Sequence, residues 1–210
     1  MTSDIKYKDY YGNYIAEQKV SDLKFYSKEF FNNDELKLVE DYGPKGRTTE
    51  IILRGGEYYL SADEDLQTIV NQHKYTGNHW IFFFNKQQNN LGDTCWEYHF
   101  YEKGELNRSG IKVFNNDNLL IASCTIDLET NEIDNKQKYF YGDPKIYKRP
   151  EYESHFLSVS YHANNDVSDI YIYDDDYQSA DEFLASYDSK YFDWSSHTYF
   201  HSFMPIMPKD

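Results

Sequence analysis

Apolar and polar positions alternate along much of this chain with a period of two. In Trp96-Glu97-Tyr98-His99-Phe100-Tyr101, the residues Trp96, Tyr98 and Phe100 fall on one face, the spacing of a half-buried strand. The stretch 156–162 repeats this with Leu157, Val159 and Tyr161 inward, and 111–114, 119–126, 138–141 and 169–173 read as further short strands. Their ends carry turn chemistry: Glu102-Lys103-Gly104, Asn115-Asn116-Asp117-Asn118 and Asn164-Asn165-Asp166. Such residues tolerate left-handed backbone or hydrogen-bond to it, so the strands are expected to join as an antiparallel meander.

Two segments break the period and predict short capped helices, over about 61–73 and about 179–188. Ser61-Ala62-Asp63-Glu64-Asp65-Leu66 recurs as Ser179-Ala180-Asp181-Glu182-Phe183-Leu184. Each has the form of a capping box, with serine at the N-cap and glutamate three residues on. Leu66, Ile69 and Val70 form the expected buried face of the first helix, and Phe183, Leu184 and Tyr187 that of the second. The flanks match as well: an apolar strand and a turn (Arg54-Gly55-Gly56 or Asp174-Asp175-Asp176) precede each helix. An aromatic strand follows, beginning at His79 or His197. A duplication and convergence on a common helix start both account for this. The fold class read here is α+β, mainly an antiparallel β-meander with two short helices. The chain reads as a single domain over 1–210. A proline-containing loop at 142–153 is the candidate lobe boundary, and 204–210 reads as an extended strap or a frayed end.

Three segments share a form: Phe30-Phe31-Asn32-Asn33-Asp34-Glu35-Leu36, Phe100-Tyr101-Glu102-Lys103-Gly104-Glu105-Leu106 and Val113-Phe114-Asn115-Asn116-Asp117-Asn118-Leu119. Two apolar or aromatic residues lead into a polar turn that closes on leucine. This resembles the hairpin repeat of MORN-type proteins, some of which accompany bacterial toxins as antitoxin-like neighbours. The resemblance implies successive hairpins and covers three irregularly spaced segments.

Composition narrows the function. Twenty-two tyrosines and 19% aromatic residues argue for a folded chain, although mean hydropathy is −0.84. With 21 basic against 36 acidic residues the formal charge is −15, which repels nucleic acid and anionic membrane and draws basic partners. The longest apolar run, Trp80-Ile81-Phe82-Phe83-Phe84, is too short to cross a bilayer, and no apolar leader follows Met1. A cytoplasmic protein is expected. Cys95 and Cys124 lack metal or redox spacing and read as buried thiols.

Candidate chemistry is sparse. His197 and His201 stand four residues apart, but the aromatic residues between them suggest packed imidazoles rather than metal ligands. His155 and His162 flank a predicted strand. Asp174-Asp175-Asp176 lacks the frame of a calcium loop and reads as a solvated turn or a contact for a basic partner. Arg54-Gly55-Gly56 reads as a glycine turn, without the lysine or the length of a phosphate loop. No nucleophile motif is present, and neither a metal nor a cofactor is expected.

The function expected from these features is not enzymatic. It is a soluble acidic protein-binding module, most concretely an immunity- or antitoxin-type inhibitor that plugs the basic cleft of a toxin or enzyme. Its expected contacts are Tyr58, Tyr59, Asp63 and Asp65 near the first helix start, and Tyr171, Tyr173, Asp174, Asp175, Asp176 and Tyr177 near the second. Tyrosine supplies contact area with a polar tip, and the acids steer a basic partner. Two alternatives remain open. One is a carbohydrate-binding or hydrolytic enzyme, whose cleft would be lined by Trp80, Trp96 or Trp194 with two converging carboxylates. The other is an assembly subunit.

Overall fold

The computed structural model describes residues 3–142, 157–172, 178–179 and 192–209. The chain is mainly β, and two compact units can be distinguished in it. One comprises Met1–Lys86 with Glu97–Ser109, the other Gln87–Trp96 with Gly110–Asp210.

The first unit holds β1 (Ser3–Asp9), β2 (Tyr14–Ile15), β3 (Tyr26–Asn32), β4 (Glu35–Pro44), β5 (Ile51–Tyr59) and the single described α-helix, α1 (Leu66–His73). It shares β6 (His79–Gln88), β7 (Thr94–Glu102) and β8 (Glu105–Phe114) with the second unit. That unit also holds β9 (Leu120–Ile126), β10 (Ile133–Phe140), β11 (Leu157–Tyr161), β12 (Val167–Ile172) and β13 (Gln178–Ser179). Hydrogen-bonded neighbours follow the order β13-β12-β11-β10-β9-β8-β7-β6-β5-β4-β3-β1-β2.

Turn chemistry explains most of this order. The β3–β4 loop is Asn33-Asp34 (φ 51° and 66°) and the β7–β8 loop is Lys103-Gly104 (φ 51° and 86°). Two successive residues at positive φ match the twist of a tight hairpin. Asn118 and Asn165 take the same left-handed conformation in the β8–β9 and β11–β12 turns (φ 59° and 73°). All three MORN-like segments are therefore hairpins, as their form implies.

The meander is broken once. β5 and β6 run parallel, with Gly55 opposite His79 and Tyr59 opposite Phe83. A parallel pair requires a crossover, and α1 provides it. Ile69 and Val70 of α1 are buried with Leu60, Trp80 and Phe82, and Leu66 packs beside them. Arg54-Gly55-Gly56 is not a turn but lies inside β5. A Cβ on Gly55 would stand 1.7 Å from the His79 carbonyl oxygen, and one on Gly56 1.9 Å from that of Val39. The glycines thus let β5 lie between two close neighbours.

The helix start also differs from expectation. Glu64 does accept from the Ser61 N–H at 2.7 Å, but residues 61–64 form only a turn. The N-cap is Asp65, which accepts from the Thr68 amide at 2.8 Å and the Thr68 hydroxyl at 2.7 Å. For the second segment, Ser179 ends β13, paired with Asp169, and 180–188 lie outside the described residues. So do residues 143–156, which include most of the proposed boundary loop and His155.

In the second unit Leu157, Val159, Ile170 and Cys124 are buried under Phe192, Phe200 and Phe203 from the C-terminal segment. That segment is a strap, not a strand. It holds 3-10 turns at Trp194–Ser196 and Thr198–Phe200, and Tyr161 donates to the Phe200 carbonyl at 2.9 Å. His197 stacks on Phe192 at 4.5 Å, and its Nδ1 donates to the Asp193 carbonyl at 2.7 Å. His201 stacks on Trp194 at 4.9 Å, and its Nε2 donates to the Trp194 carbonyl at 2.8 Å. Both imidazoles serve as packed, hydrogen-bonded rings.

Candidate functional site

Several residues expected to contact a partner are engaged within the fold. The Tyr58 hydroxyl donates to Glu64 at 2.8 Å, and Lys37 pairs with the same carboxylate while its ammonium lies 4.9 Å from the Tyr58 ring centre. Burial opposes ionisation of Glu64. Lys37, the Ser61 amide and Tyr58 outweigh it and hold the carboxyl below its ordinary value. Tyr59 is stacked on Phe83 at 4.7 Å and donates to Glu57 at 2.6 Å. Asp65 is committed to the helix cap. Asp63 and Tyr171 are exposed, in the first and second units respectively. Tyr173, Asp174, Asp175, Asp176 and Tyr177 lie outside the described residues.

A different group of rings is exposed in the first unit. Tyr10, Tyr11, Tyr14 and Phe25 are 74%, 71%, 60% and 39% exposed. Their setting is ordered. Asp9 accepts from the amides of Tyr11 and Asn13, both at 2.9 Å, which fixes the turn that presents Tyr10 and Tyr11. Tyr10 meets Tyr11 edge-on at 5.5 Å and Phe25 at 5.7 Å. Tyr14 donates to buried Glu29 at 3.0 Å, and Lys8 pairs with the same carboxylate at 2.8 Å.

Beside these rings opens a cleft of about 320 Å³. Its wall is the stacked pair Tyr26 and Tyr42, with centroids 4.9 Å apart and planes within 6°. Strand register assembles the rest: Tyr26 lies opposite Tyr42, Ser27 opposite Asp41, Asp41 opposite Gly55, and Gly55 opposite His79. Ser27 donates to Asp41 at 2.7 Å, and His79 Nε2 lies 3.9 Å from the other carboxylate oxygen. Burial pushes the Asp41 carboxyl up, but the His79 and Ser27 contacts outweigh it and leave the value below ordinary. The carboxylate, not the imidazole, meets the serine hydroxyl, so the trio lacks the order of a nucleophilic triad. Arg54 completes the lining.

This cleft was not legible beforehand. Tyr10, Phe25, Tyr26, Asp41, Arg54 and His79 are scattered over 70 positions, and only strand register joins them. Nor is it the tryptophan cleft expected of a carbohydrate enzyme. Trp80 and Trp96 are buried, and Trp194 belongs to the other unit. Among the described residues no group of three metal-ligating side chains converges, and no helix is long and apolar enough to cross a membrane.

Compared with known proteins, the chain matches no family model, no curated sequence and no solved structure. The MORN-type resemblance therefore rests on the three hairpins alone.

Proposed function

We propose that the protein is an acidic protein-binding module, most concretely a cytoplasmic inhibitor of the immunity or antitoxin type that occupies the basic cleft of a toxin or other enzyme. The observation that carries this reading is the distribution of charge. The second unit has 19 acidic and 8 basic residues, net −11, whereas the first has 17 and 13, net −4. Such a field steers a basic partner, and preorganised tyrosines suit the short-range contacts that follow. The exposed rings Tyr10, Tyr11 and Phe25 supply such contacts in the first unit, and Asp63 and Tyr171 remain candidates.

The test is capture of a basic enzyme from the native source, followed by titration of the purified pair. Affinity should fall at least tenfold between about 50 and 500 mM salt, and the Tyr10→Ala/Tyr11→Ala/Phe25→Ala variant should bind at least tenfold more weakly. Partner activity should be blocked at equimolar inhibitor. Salt-independent binding, or a partner without a basic face, sinks the reading. A carbohydrate-binding reading has the tyrosine-lined cleft in its favour. It ranks second because both cleft carboxylates, Asp9 and Asp41, already accept internal hydrogen bonds.

A further inference from the structure

One charged group in the cleft is left unanswered. Asp9 is engaged by the Tyr11 and Asn13 amides, Asp41 by Ser27, and Tyr42 gives its hydroxyl to Glu40 at 2.7 Å. Arg54 lines the same cleft, half-buried, and its guanidinium has no hydrogen bond or ion pair among the described residues.

Its position is built by the backbone. On β4, Asp41 and Tyr42 are consecutive, but their partners on β5 are Gly55 and Leu53, so Arg54 is the extra residue of a β-bulge. Bulges re-aim a side chain out of the regular alternation. Gly55 follows at φ 151°, and the Arg54 carbonyl is held by the Asn78 N–H at 2.6 Å. The side-chain stem is confined too: a Cβ on Gly43 would lie 2.8 Å from both Arg54 Cδ and Phe25 Cδ1. A guanidinium held this way offers a planar fork of donors matched to an oxyanion.

We propose that this cleft binds a small molecule consisting of a flat ring that carries one oxyanion, a carboxylate or a phosphate. The oxyanion sits on Arg54, and the ring lies against the Tyr26–Tyr42 wall beneath Tyr10 and Phe25. The cleft volume, about 320 Å³, suits a one- or two-ring compound. Asp9 and Asp41 disfavour a second anionic group, which selects against polyanions. This inference goes beyond the docking reading and does not rest on it.

The test is titration of the isolated chain, followed by NMR or calorimetry, with 2-naphthoate, 2-naphthyl phosphate and uncharged 2-naphthamide. At least one anion should bind a single saturable site at least tenfold more tightly than the amide, and the tighter of the two names the source of the oxyanion. Arg54→Gln should lose at least tenfold for that anion with the amide unchanged, and Arg54→Lys, which keeps charge but not the fork, should fall between. Anions that bind no better than the amide, or equally well to Arg54→Gln, overturn the proposal. If Arg54→Gln does not fold, the anion-to-amide ratio on the unmodified chain decides alone. No partner protein is involved, so failure here leaves the docking reading standing, and the reverse holds.

Discussion

Lys138 is fully buried, and its ammonium donates to the carbonyls of Tyr199, Ser202 and Pro205 at 2.7, 2.8 and 2.9 Å. It also lies 3.6 Å from the Tyr199 ring centre, and its strand partners are Ala122 on one side and Val159 on the other. Three donors thus meet three acceptors along the C-terminal strap. Lys138→Met should cost about 3 kcal/mol at pH 7, because removing the donor orphans several buried carbonyls. Burial also pushes the Lys138 ammonium down to about 7. The unfolded chain then binds more protons than the folded one between that value and the ordinary lysine range. Stability from this group therefore rises with pH between about 7 and the ordinary lysine range. Denaturant titrations of both forms over that range should show the gap widening with pH, and a constant gap counts against the shift. A lysine inside an alternating strand normally points to water, so nothing local marked Lys138 as interior. The cysteines were easier. Cys95 and Cys124 are buried free thiols, and burial pushes the Cys124 thiol up to about 11.

At the scale of elements, the informative piece is β5-α1-β6. Glu64 does accept from the Ser61 N–H, but the Ser61 hydroxyl accepts from Lys37 at 2.8 Å, and the helix is capped by Asp65 instead. A serine-to-glutamate spacing is a common signature, and here the local cap that starts the helix is Asp65 with Thr68. Strand-by-strand reading fared better for β7, β9, β11 and β12, where alternation and turn residues agree. It failed at Gly55, because a glycine pair inside a strand looks the same as a turn until the neighbouring strands are known. Gly55→Ala should destabilise the chain by about 3 kcal/mol or more, since the new methyl group clashes with the His79 backbone at a positive φ. Thermal unfolding measures this. A change below about 0.5 kcal/mol would show that β5 and β6 part easily, and with them the bulge that aims Arg54.

Over the whole molecule, a charge of −15 implies self-repulsion that salt relieves. Raising sodium chloride from about 10 to 300 mM should lift the melting temperature by a few degrees. A fall instead would mean that the surface ion pairs, such as Lys86 with Glu35 at 3.1 Å, outweigh the repulsion. The sequence by itself determined the mainly β character, most strand positions, the hairpin turns and the burial of both cysteines. Period-two alternation and left-handed turn residues act over a few positions, so they can be read locally. Only the tertiary structure decided the parallel β5–β6 pair and the lysine inside the second unit. It also decided the Arg54 cleft. These depend on which strands become neighbours and in what register, which side chains distant in sequence settle together.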